Sequence, residues 1–100
     1  MQKSENEKLE IISTIRNIRN ELTIRFTVQR IGVFGSFARG NAGSKSDVDI
    51  LVELKEPTFD HYMDLKFYLE EKLDRSVDLV LHDAVKPRLR SIIEHEVVYA

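Results

Sequence analysis

The sequence has no cysteine, only two prolines and four glycines, and no long apolar run. Without cysteine there is no disulfide framework and no thiolate metal site. No apolar stretch approaches the roughly 20 residues that span a bilayer, so no membrane association is expected. The opening Met1-Gln2-Lys3-Ser4-Glu5-Asn6-Glu7 is polar and carries acids, unlike a secretory signal, and a cytoplasmic location is the expectation. Neither charge sign dominates: 15 basic against 17 acidic residues leave a formal net charge of −2. Proteins that hold nucleic acid by its backbone usually carry a basic surplus, so no stable complex with long nucleic acid is expected. A single nucleotide is not excluded, because a bound cation supplies the missing positive charge. The apolar content of 42% is too high for a disordered chain. One hundred residues, 1–100, is the size of one domain.

What is present reads as alternating helices and strands. Ile11, Ile15, Ile18 and Leu22 recur at helical spacing and predict a helix from Ser4 to about Leu22. Ser4 followed by Glu7 is a candidate capping box. Val28–Phe34 is rich in β-branched and aromatic residues and stops at Gly35, which predicts a strand. Gly35 to Ser46 holds three of the four glycines and predicts a loop with one helical turn around Ser36–Arg39. Asp47–Leu54 alternates, with Val48, Ile50, Val52 and Leu54 on one side and Asp47, Asp49, Leu51 and Glu53 on the other. Asp60 to about Leu73 is a second amphipathic helix, with Tyr62, Leu65, Leu69 and Leu73 in register. Ser76–Leu81 is a third strand. Pro87 suits the first position of a last helix running to about Glu94, and Val97–Ala100 reads as a short extended tail. The dozen-residue link between the first two strands favours an antiparallel pair. The full helix between the second and third strands predicts a parallel pair with a right-handed crossover. The fold class is therefore α/β (α+β): a small mixed sheet of three to four strands with helices packed against it.

One constellation carries chemistry. Asp47 and Asp49 project from one face of an apolar strand, about 6–7 Å apart along it. Aspartate is disfavoured in strands and like charges repel, so a divalent cation is a natural occupant of the space between them. Asp78, between Val77 and Leu79 on the third strand, faces the same way if that strand lies beside the second. Three such carboxylates would form a two-metal site for phosphoryl transfer. Gly35-Ser36 ends a strand and opens a helical turn, whose free N–H groups and positive dipole end suit a phosphate. Gly35 allows close approach of backbone, Ser36 is able to cap the turn or donate its hydroxyl to phosphate, and Arg39 stands one turn on. Each feature has a plainer reading alone: acids near strand ends are often only solvated, and glycine turns after strands are common. The joint arrangement, Gly-Ser, ten intervening residues, then Asp-x-Asp on the next strand, is uncommon.

That arrangement, Gly35-Ser36-Phe37-Ala38-Arg39-Gly40 followed by Ser46-Asp47-Val48-Asp49-Ile50, resembles the signature of the DNA polymerase beta-type nucleotidyltransferase superfamily. The nearest branch is the MNT family of minimal nucleotidyltransferases. Asp78 in Val77-Asp78-Leu79-Val80 fits the family's third acid, and Ile92-Ile93-Glu94-His95-Glu96-Val97-Val98-Tyr99 resembles its C-terminus. The resemblance implies that Gly35 and Ser36 hold the triphosphate of an NTP and that Arg39 assists with its charge. It implies that Asp47 and Asp49 bind Mg²⁺, two ions in all, and that Asp78 completes the site and helps activate the acceptor hydroxyl. It also implies a role as the antitoxin of a toxin-antitoxin module, in a hetero-oligomer with a HEPN-domain toxin, transferring AMP from ATP onto a tyrosine of that partner. The alternatives are an antitoxin that neutralises its partner by contact alone, and transfer to RNA or a small molecule.

The remaining polar residues have quieter expectations. Glu53 reads as a solvated strand-end acid and Asp83 as a turn or cap residue. His61, His82 and His95 lack metal-ligand spacing. Lys86, Arg88 and Arg90 oppose the dipole at the start of the last helix and read as a solvated face or a contact for nucleotide, RNA or an acidic partner. Phe59, Tyr62, Phe67 and Tyr68 read as core and helix surface.

Overall fold

The computed structural model describes residues 2–43 and 45–100. Its elements run α1 (Gln2–Asn17), α2 (Arg19–Phe26), β1 (Val28–Phe34), α3 (Gly35–Arg39), β2 (Val48–Leu54), α4 (Phe59–Leu73), β3 (Val77–Leu81), a 3₁₀ turn at His82–Ala84, α5 (Pro87–Glu96) and β4 (Val98–Tyr99). The four strands form one mixed sheet in the order β3-β2-β1-β4. β1 runs antiparallel to β2 and to β4, and β3 runs parallel to β2, as the connection lengths predict. Among the described residues no helix is long and apolar enough to cross a membrane.

The alternation along β2 decides which face is core. Val48, Ile50, Val52 and Leu54 are buried in one cluster with Ile31 and Val33 of β1 and Val77 and Leu79 of β3. Ile11, Ile12 and Ile15 of α1, Leu22 and Phe26 of α2, and Leu65 and Leu69 of α4 join the same cluster. Removing that apolar surface from water is the main stabilising term. Asp49, Leu51 and Glu53 point to the opposite face, where Leu51 is buried outside the cluster.

The first helix departs from the expected continuous run. It breaks at Ile18, whose backbone sits at φ −103°, ψ 7°, and resumes as α2 to Phe26 instead of ending near Leu22. The break re-aims the apolar stripe, so that Leu22 and Phe26, one turn apart, are both buried. Thr27 then ends α2 in the left-handed conformation. The Ser4 side chain, and with it the candidate capping box, lies outside the described residues. α4 is capped instead by Thr58, whose hydroxyl accepts from the His61 N–H at 3.1 Å.

The C-terminal tail is a strand. Gly32 and Val33 of β1 pair with Tyr99 and Val98. A Cβ at Gly32 would lie 2.7 Å from Val97 Cγ2 and 2.9 Å from the Val98 carbonyl oxygen, so only glycine admits β4 this closely. This pairing carries the end of α5 to the end of β1, where the glycine turn begins.

Candidate active site

The sheet register assembles the acids. Asp49 lies opposite Phe34 of β1 on one side and beside Asp78 of β3 on the other. β3 is held at its start: the Val48 N–H donates to the Ser76 carbonyl at 2.9 Å, and the Val77 N–H donates to the Glu70 carboxylate at 3.0 Å. Lys66 pairs with the same Glu70 oxygen at 3.2 Å. Tyr62 Oη donates to the Leu79 carbonyl at 2.7 Å, tying α4 to β3 one residue beyond Asp78. Asp78 and Asp47 are exposed and Asp49 is half-buried. β2 begins at Val48, so Asp47 sits just before the strand and not on it.

Burial, the Asp78 charge, a hydrogen bond shared with Asp78 and the Asp47 charge together push the Asp49 carboxyl up to about 6; Arg39 opposes them. The folded chain therefore holds a proton on Asp49 at pH values where the unfolded chain has released it. Stability falls as pH rises from the ordinary aspartate value toward 6 and stays lowered above it. Asp49→Asn should stabilise the metal-free protein above pH 6 by about 1 kcal/mol, discounting the shift for partial exposure. The gain should fade as pH drops toward 4. Urea midpoints in the presence of a chelator at pH 4 and 7.5 check this; an equal effect at both would contradict it.

Gly35 closes the site from the β1 side. Its φ of +74° is left-handed, and a Cβ there would lie 2.1 Å from Oδ2 of Asp49. The carboxylate thus rests against the bare backbone at the start of α3. Phe37, fully buried, pegs this turn into the core, with the Arg75 guanidinium 5.0 Å from its ring centre. Ser36 lies within the first turn of α3; the capping position is Phe34, with no side-chain cap bond, so Ser36 does not cap the turn.

Sequence reasoning passed over one residue in the site. The Glu96 carboxylate accepts the Gly35 N–H at 2.7 Å and pairs with Arg39 Nη1, 3.2 Å from each oxygen. Nothing in local spacing links Glu96 to a residue 61 positions earlier; only the β1–β4 pairing does. An open depression of about 500 Å³ adjoins Ser46 and Asp47, walled in part by Lys45, Asp74 and Arg75. Arg75 is also paired with Glu7.

Among the described residues no group of three or more histidine, aspartate or glutamate side chains is placed to hold a metal ion as it stands. The donor set nonetheless suits a hard cation: carboxylate oxygens only, with Asp49 raised by burial and by two neighbouring acids whose repulsion a divalent ion would relieve.

The other polar residues lie elsewhere. Glu53 is paired with Arg30 at 2.5 Å and is not merely solvated. His82 Nε2 meets Glu94 at 2.5 Å and its Nδ1 meets Asp83 at 3.1 Å. Arg90 donates to the carbonyls of His82 and Val85, so it is a structural tie, while Lys86 and Arg88 are exposed. Phe59 and Phe67 are exposed; Tyr62 and Tyr68 pack against the core cluster.

Comparison with known proteins identifies the family. Residues 15–100 match the family model of the nucleotidyltransferase domain. The protein adenylyltransferase MntA of Thermococcus cleftensis is 44% identical over 91 residues, covering 90% of this chain and 92% of its own. A solved structure described as a minimal nucleotidyltransferase superposes with a TM-score of 0.72 at 36% identity, covering 87% of this chain and 93% of its own. A toxin-antitoxin structure with AMP-PNP superposes with a TM-score of 0.69 at 26% identity, covering 83% of this chain and 69% of its own. The chain belongs to the nucleotidyltransferase domain family, in its minimal branch.

Proposed function

We propose that this protein is a Mg²⁺-dependent protein adenylyltransferase of the cytoplasm, moving AMP from ATP onto a tyrosine hydroxyl of a HEPN-domain toxin with which it assembles as antitoxin. The observation that carries the reading is the contact of Asp49 with Asp78 on neighbouring strands, directly against the Gly35 backbone. Family membership supports the reaction class. The T. cleftensis relative, a protein adenylyltransferase by name, supports a protein acceptor. The toxin-antitoxin structure with AMP-PNP supports the ATP substrate and the toxin partner.

In the reaction the acceptor oxygen attacks the α-phosphorus. An O–P bond forms, the bond from the α-phosphorus to the bridging oxygen breaks, and pyrophosphate leaves. Asp47, Asp49 and Asp78 would hold Mg²⁺, two ions on this reading, which supplies charge neutralisation to the triphosphate and the leaving group. Gly35 N–H, Ser36 and Arg39 bind and orient the phosphates. Asp78 would help activate the acceptor hydroxyl by taking its proton. The exposed acids leave the mouth open, which suits an acceptor brought by a partner protein.

Incubation with Mg²⁺, α-phosphate-labelled ATP and the toxin is expected to label the toxin. The doubly substituted Asp47→Ala, Asp49→Ala protein should transfer none; full labelling by it would end this reading. A second reading, neutralisation by contact alone, has one observation behind it. α5 exposes Leu89 (53%) and Ile92 (61%) beside Lys86 and Arg88. Toxin neutralisation that survives the double substitution would favour it.

A further inference from the structure

Glu96 is the last residue of α5, where a negative side chain faces the negative end of the helix dipole. Helix stability therefore does not account for it. Its carboxylate is instead engaged across the fold, on the Gly35 N–H and on Arg39, and β4 pairing with β1 holds it there. These are the two donors that the proposed function assigns to the triphosphate, so the inference rests on that reading.

We infer that Glu96 is an internal stand-in for a phosphate group: it occupies the anion cradle of Gly35 and Arg39 and must be displaced when the triphosphate binds. A carboxylate and a phosphate oxygen carry the same sign and require the same donors, so both cannot occupy them together. Gly35 has one N–H to give, and on Arg39, where only Nη1 meets Glu96, the carboxylate and the triphosphate repel as like charges. Glu96 has two consequences. It keeps Gly35 and Arg39 ordered in the shape an anion needs, which makes it a positioning residue. It also competes with the substrate, which raises the apparent KM for ATP.

The test measures equilibrium binding of a non-hydrolysable ATP analogue with Mg²⁺, by calorimetry, to wild type, Glu96→Gln and Arg39→Ala. The glutamine keeps an oxygen for the Gly35 N–H but gives up the charge. Glu96→Gln is expected to bind about fivefold tighter, the scale of one partly exposed ion pair released. Arg39→Ala is expected to bind about tenfold more weakly or worse. In the transfer assay Glu96→Gln should lower the KM for ATP. A merely structural role predicts instead a lowered melting temperature with no gain in affinity, and that result, or equal affinity, overturns the inference alone. Wild type that binds no nucleotide overturns the inference together with the proposed function. Should Glu96→Gln unfold, the wild type crystallised with the analogue decides: the carboxylate still within about 3.5 Å of the Gly35 nitrogen beside bound phosphate overturns the inference.

Discussion

Replacing Asp49 with asparagine is expected to lower nucleotidyl transfer by about 10³-fold or more, roughly 4 kcal/mol of transition-state stabilisation. The isosteric amide removes one negative charge from the centre of the carboxylate group and changes little else. Asp49 touches Asp78, feels Asp47, and lies under the Gly35 backbone, so it is the acid that links the other two aspartates to the glycine turn. The same substitution should stabilise the metal-free fold at neutral pH, because the folded state then keeps no strained ionised carboxyl there. Opposite signs on activity and stability mark a group retained for chemistry. Steady-state transfer rates and urea melts on one preparation check both halves. A variant less stable and still active within tenfold would contradict the assignment.

Gly35→Ala is expected to lower transfer by about 10²–10³-fold, for a reason that is geometric before it is electrostatic. At φ +74° any side chain costs about 1–2 kcal/mol in backbone conformation. The added methyl would also sit 2.1 Å from Oδ2 of Asp49. A carboxylate is the mobile end of a side chain and can swing aside, so the fold should survive. Asp49 then loses its place beside Asp78, and activity goes with it. The expected signature is a loss of only about 1–2 kcal/mol in stability with nearly complete loss of transfer. Activity within tenfold of wild type would show that the close approach of Gly35 to Asp49 is incidental.

Much of this site is legible in the chain because its parts are local patterns. The alternation of Val48, Ile50, Val52 and Leu54 against Asp49 and Leu51 sets one core face and one acid face. The helix between Pro57 and Leu73 forces β3 parallel to β2, which brings Asp78 beside Asp49. Gly35 announces the end of β1. What is not legible depends on contacts distant in sequence or on residues that break local preference. Thr27 and Asp74 end α2 and α4 in left-handed conformations without the glycine that usually marks such ends. Ile18 interrupts the first helix with neither proline nor glycine nearby. Val98 and Tyr99 are two residues of an apparent tail, and only Gly32, with no side chain in the way, makes them a strand. Glu96 enters the site through that strand. The acid pair at Glu53 and Glu94 likewise finds Arg30 and His82 through the fold, not through spacing.

The most direct measurement is the melting temperature of metal-free wild type and Asp49→Asn at pH 7.5 as Mg²⁺ is added with a non-hydrolysable ATP analogue. Wild type should start lower and rise by about 5–10 °C at saturation, while Asp49→Asn should start higher and rise little. Equal rises in the two proteins, or none in wild type, would contradict a divalent ion and its nucleotide as the occupants of these carboxylates.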